Sequence, residues 1–185
     1  MQVLKNVKAY VDGEIVKCDI TFENGIIKEI GKNLDTYKAK EISVDKYSVV
    51  CPGFIDEHIH GAGGADAMDG TVESLQTISE FLAREGTTGF LATTMTQSPE
   101  NITNALKAVK KVREKGEYKG AEVLGVHLEG PFISPKHVGA QPLEYVATPD
   151  AELFDKYNEA SGNSIKIVTL APEVEGGLGL VKHLS

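Results

Sequence analysis

Residues 51–66 read CPGFIDEHIHGAGGAD, an apolar run that carries Asp56, His58 and His60 and then falls into glycine. Side chains alternate across a strand, so imidazoles at i and i+2 project to one side and can reach one metal ion. A histidine pair at this spacing also fits ordinary core or surface positions. The setting favours ligation: Pro52 and Gly53 punctuate the run before it, and Gly61, Gly63 and Gly64 follow with backbone that lets a ligand approach closely. Residues 123–132, VLGVHLEGPF, are a second buried-strand pattern ending in a carboxylate, Glu129. Two strands that end in metal-ligand chemistry imply one shared site and point to a metal-dependent hydrolase.

Working outward, apolar strands alternate with helical patterns, as a parallel α/β sheet requires. Strands are expected at Val49–Glu57, Gly89–Met95, Val123–Leu128 and Ile165–Leu170, with helices over Thr71–Arg84, Pro99–Glu114 and Asp150–Ser161. Ile102, Leu106, Val109 and Val112 recur at helical spacing. Ser98 before Pro99 and Thr148 before Pro149 each combine a capping hydroxyl with proline in the first turn. The first 50 or so residues differ: short β-rich runs separated by Asp12-Gly13 and Asn24-Gly25, the dipeptides of two-residue hairpins, predict an antiparallel meander.

The 185 residues are 41% hydrophobic and 25% charged with a formal charge of −8, and no run of about 18 apolar residues suggests a membrane span. No basic segment followed by an apolar one opens the chain, so a cytoplasmic protein is expected. The acidic balance argues against nucleic acid as a partner. Cys18 and Cys51 lie on different predicted strands outside any CxxC spacing, which makes reduced thiols the default. GAGGAD lacks the lysine of a phosphate-binding P-loop and does not match GxGxxG, so tight packing around the metals is the expected use of these glycines.

PGFIDEHIHG, GTTGFLATTMT, GVHLEGPFISPKHVGAQP and VTLAPE, in this order and spacing, resemble the N-acetylglucosamine-6-phosphate deacetylases of the amidohydrolase superfamily. HLEGPF is the most family-specific part; the HxH pair is shared by many amidohydrolases. The resemblance implies an α/β fold, the N-terminal half of a metal-dependent (β/α)8 barrel over residues 51–185, preceded by strands of a small β-sandwich over residues 1–50. A complete barrel needs about 250 residues, so the chain is expected to be the N-terminal part of a longer enzyme. Active sites of such barrels gather at the C-terminal strand ends, where His58, His60, Thr93, Thr94, Glu129 and Glu173 all fall.

Carried over residue by residue, the resemblance makes Glu129 a metal ligand, with a lysine-paired or helix-capping carboxylate as the alternative. It makes His58 and His60 ligands of a second metal in members that keep the pair, so one or two divalent ions (zinc, iron or manganese) are implied. Asp56 reads as a supporting carboxylate, and Glu57 points to the opposite side of the strand. Ala140 and Gln141 fall where the family contacts its amino-sugar phosphate. Lys136 and His137 read as solvated loop residues, Thr93 and Thr94 mainly as strand formers, and His127 either orients Glu129 or is a satisfied core histidine. No role is assigned to His183.

Acetamide hydrolysis is slow because water is a poor nucleophile and the amide a poor electrophile; a divalent ion addresses both, and a general acid must then protonate the amine. In the family that acid is an aspartate on a late strand, accompanied by two further histidine ligands. All three are expected beyond Ser185, so no catalytic acid or base is assigned here and the chain alone is expected to be inactive. Two alternatives stay open: another amidohydrolase acting on a cyclic amide or aminated base, and a non-catalytic half-barrel that dimerises through open sheet edges. Homodimerisation is itself a family expectation.

Overall fold

In the computed structural model, which describes residues 1–45 and 48–185, the N-terminal strands are β1 (Gln2–Val11), β2 (Glu14–Glu23) and β3 (Ile26–Gly31). They are antiparallel neighbours in the order β3-β2-β1. Both connecting turns have positive φ at their two central residues, 50° and 91° at Asp12-Gly13 and 52° and 76° at Asn24-Gly25, as a two-residue type I′ hairpin requires. Val7, Ala9, Cys18 and Ile20 bury one face of β1 and β2. Two short strands, β4 (Lys40–Glu41) and β5 (Val49–Val50), pair with β1 in parallel. The meander thus covers only the first three strands, because a longer connection after Gly31 frees the chain from the antiparallel pairing that a tight turn imposes.

The chain divides into two units, Met1–Pro52 and Gly53–Ser185. The single strand expected over Val49–Glu57 is two strands: β5 ends at Val50, and β6 (Phe54–Ile59) begins after Pro52 and Gly53. Pro52 carries no N–H for a ladder, so the run breaks there.

In the second unit β6 is followed by β7 (Gly61–Ala62), β8 (Ala65–Asp66), α1 (Val72–Arg84), β9 (Thr87–Thr93), α2 (Pro99–Lys115), β10 (Glu122–Glu129), α3 (Ala151–Ala160), β11 (Ile165–Thr169) and α4 (Gly177–Leu184). The order β11-β10-β9-β6 is parallel throughout. Each strand lies beside its predecessor in the βα repeat, with no reversal of order; this is the arrangement of a barrel wall rather than of a doubly wound sheet. These four strands form a half-barrel, and on β6 the side chains of Phe54 and Ile55 are exposed.

Helices cover one face of this sheet. Leu75, Ile78 and Leu82 of α1 and Ile102, Leu106, Val109 and Val112 of α2 are buried against Phe90, Ala92, Val123, Val126 and Leu128. Burying each large apolar side chain contributes about 1.5–3 kcal/mol. Helix α2 starts as its sequence suggests, with Ser98 Oγ accepting the Asn101 N–H at 3.3 Å. The cap of α3 is Asp150 and not Thr148: its Oδ1 accepts from the N–H of Glu152 at 2.8 Å and of Leu153 at 3.2 Å. A carboxylate two residues nearer the first turn displaces the hydroxyl and also favours the helix dipole. His183 Nε2 pairs with Asp155 Oδ1 at 2.8 Å, tying α4 to α3.

GAGGAD is a miniature hairpin. Strands β7 and β8 pair antiparallel, and Gly63 and Gly64, with φ of 63° and 82°, form the turn between them. Asp66 then caps a short 3-10 turn through the N–H of Met68 at 2.8 Å. No helix among the described residues is long and apolar enough to cross a membrane.

Candidate metal centre

Alternation sorts the strand residues into two sets. Phe90, Ala92, Val126 and Leu128 face the helices, with Ile59 packed against the same cluster; His58, His60, Thr93, His127 and Glu129 therefore lie on the opposite face. Because the strands are parallel, the residues at their last positions meet at one rim. Glu129 pairs in register with Thr169, His127 with Thr93, and Ile59 with Ala92.

At that rim His58 Nε2 lies 3.2 Å and His60 Nε2 3.0 Å from Glu129 Oε2, and the three ligand atoms fall within 4.8 Å of one another. Donors held at about 2.0–2.2 Å from one ion stand roughly 3–3.5 Å apart, so the spacing suits a cation. The chemistry of the donors agrees. A carbonyl only accepts, so the 3.2 Å contact of His60 Nδ1 with Thr93 O places a proton on Nδ1. In the neutral ring Nε2 is then a lone pair aimed at a carboxylate oxygen, a contact that a bound cation or a second ring proton makes favourable. Among the described residues no other group of three His, Cys, Asp or Glu ligand atoms converges in this way.

Neighbouring groups hold this arrangement. Asp56 Oδ1 accepts the His58 N–H at 3.1 Å, which gives this carboxylate a backbone-holding place beside the cluster. Thr93 Oγ1 accepts the Ile59 N–H at 2.9 Å. His127 is buried and satisfied: Nδ1 donates to Glu57 O at 2.9 Å and Nε2 accepts from Thr169 Oγ1 at 2.7 Å. It makes no hydrogen bond to Glu129, so of its two sequence readings the core histidine holds. Its ring stands edge-on to His58 with centroids 4.6 Å apart. Burial above all holds the imidazole below its ordinary pKa, with the hydrogen bond to Glu57 O opposing. A neutral ring bridging β6, β10 and β11 braces the wall under the cluster.

The remaining candidates are more scattered. Gln141 is half-buried, and its Oε1 accepts the Thr96 N–H at 2.7 Å, anchoring the segment after β10 to the chain just beyond β9; Ala140 beside it is exposed. Lys136 and His137 are exposed, in line with solvated loop positions, and Glu173 is exposed outside the three-ligand group. Gly130, with φ of 71°, follows Glu129 directly, and a Cβ there would run into Thr96 Oγ1. Sequence reading missed two partners, Thr93 and Thr169. A threonine at a strand end is ordinary in composition, and only the register between strands reveals what its hydroxyl meets.

Comparison with known proteins adds a third line. The model of the amidohydrolase family matches residues 49–180. N-acetylglucosamine-6-phosphate deacetylase of Bacillus subtilis (strain 168) is 43% identical over 98% of this chain and 47% of its own length; that of Lysinibacillus sphaericus is 37% identical over 99% and 47%. The chain thus spans about half the length of the curated relatives it matches. The crystal structure of N-acetylglucosamine-6-phosphate deacetylase from Thermotoga maritima, 30% identical, superposes with a TM-score of 0.79 over 99% of this chain and 46% of that one.

Proposed function

Because the chain belongs to the amidohydrolase family, we propose that it supplies the metal-holding part of an enzyme that hydrolyses the acetamide of N-acetylglucosamine 6-phosphate to glucosamine 6-phosphate and acetate. The observation that carries the reading is the convergence of His58, His60 and Glu129 on one rim of parallel strands. The 43% identity to a deacetylase over nearly the whole chain supports the substrate class.

In this reading Glu129 and the two imidazoles hold a divalent ion; zinc, iron and manganese all suit such nitrogen and oxygen donors, and the pair His58–His60 leaves room for a second ion. Bound there, the ion supplies Lewis-acid polarisation of an amide carbonyl and of water. The protein's own groups orient the ligands: Thr93 O sets the His60 tautomer and Asp56 holds the backbone of His58. Ala140 and Gln141 contact the amino-sugar phosphate; Gln141, its carbonyl oxygen engaged by Thr96, offers its amide N–H donors. The proton for the departing amine comes from outside residues 1–185, as the family resemblance implies. We place the enzyme in the cytoplasm and expect a homodimer, as the family resemblance implies.

Acetate release tests the proposal. The full product of the gene encoding this chain should convert N-acetylglucosamine 6-phosphate with one acetate per amine freed, and Glu129→Gln in that product should abolish turnover. Undiminished turnover in that variant would exclude Glu129 as the metal-holding group.

A further inference from the structure

The ladder between β6 and β9 slips between Asp56 and Ile59, the interval that contains His58 and leads into His60. Over that interval the backbone is held by side chains. Asp56 takes the His58 N–H at 3.1 Å, and Thr93 Oγ1 takes the Ile59 N–H at 2.9 Å. Ile59 sits between the two histidines, so whatever fixes its peptide fixes the separation of their side chains. The same residue acts a second time: Thr93 O, 3.2 Å from His60 Nδ1, sets the ring's tautomer and turns Nε2 toward Glu129. Thr93 is fully buried, at 0% exposure, so water does not replace its hydroxyl when it is removed.

We propose that Thr93 is a positioning residue that sets the bite of the His58–His60 pair, its hydroxyl latching the peptide between them and its carbonyl orienting the second ring. This rests on the reading of His58, His60 and Glu129 as metal ligands. The hydroxyl is the part a side-chain substitution removes. In Thr93→Val the Ile59 N–H loses its acceptor inside the wall, and a buried donor without a partner shifts to find one. The histidine spacing then no longer matches one ion. Loss of a group that orients a ligand typically weakens metal affinity 10–100-fold.

The test is the Zn2+ dissociation constant of the full product of the gene encoding this chain, measured by competition with a chromogenic chelator, beside the melting temperature of each variant. Thr93→Val should raise the constant about 10–100-fold, Thr93→Ser should restore it to within a few-fold, and Leu106→Ala should lower the melting temperature with the constant unmoved. Thr93→Ala removes the same hydroxyl and serves if the valine variant does not fold. Wild-type affinity in the folded valine or alanine variant overturns the inference, as does a serine variant as weak as valine. A wild-type product that binds no Zn2+ overturns the metal reading itself and the inference with it.

Discussion

His60 Nε2 stands 3.0 Å from Glu129 Oε2, with the other ring nitrogen of His60 committed to the Thr93 carbonyl at 3.2 Å. Two groups far apart in sequence meet because β6 and β10 flank β9 in a parallel wall and end at the same rim. With the ring neutral and no cation, the contact sets one acceptor against another. The apo cluster is therefore less stable than its loaded form.

Zn2+ at about 100 times its dissociation constant should stabilise the chain by about 2.7 kcal/mol, a rise of roughly 5–10 °C in melting temperature at this size. Glu129→Gln should abolish the rise, since a neutral amide is a much weaker ligand than a carboxylate. Thermal scans with and without Zn2+ check both parts; a zinc-dependent rise in the variant would contradict them.

The two histidines are unequal. His60 is held through Thr93 O and is a third exposed, while the His58 side chain is half exposed. His60→Ala should therefore weaken Zn2+ binding more than His58→Ala, by roughly tenfold. Chelator competition on the two variants gives the order directly, and the reverse order would contradict it.

Gly130→Ala forces an L side chain into a φ of 71° and into Thr96 Oγ1. The backbone alone should cost about 1–3 kcal/mol. Urea unfolding measures this as a lower midpoint; an unchanged midpoint would show that the Glu129–Gly130 turn relaxes freely.

Leu106 is fully buried under the sheet. Its replacement by alanine should cost about 2–5 kcal/mol as a cavity opens, read as a lower urea midpoint. A loss below about 1 kcal/mol would mean that α2 is less tightly packed against β9 and β10 than the contacts imply.

The legible parts of this fold are those in which a local pattern coincides with a global requirement. Ile102, Leu106, Val109 and Val112 face the sheet because helical periodicity leaves them no other place, and all four are buried. HIH and HLEG stand out because polar ligands at the end of an apolar strand are costly unless they serve a site. The run from Val49 to Glu57 is misread because periodicity does not reveal which sheet each half joins; only Pro52 hints at the break. Thr148 looks like a cap until Asp150, two positions closer to the open N–H groups, takes them. Thr93 is invisible as a positioning residue, since its hydroxyl meets Ile59 only through the slipped register of β6 and β9. Long-range pairing carries that information, and no window of sequence contains it.

The most direct measurement is anomalous diffraction at the zinc edge from crystals of the zinc-loaded chain. An anomalous peak is expected about 2.0–2.2 Å from Nε2 of His58, Nε2 of His60 and a carboxylate oxygen of Glu129. A loaded crystal with no peak at that rim, or with its zinc held by other residues, would contradict this ligand set.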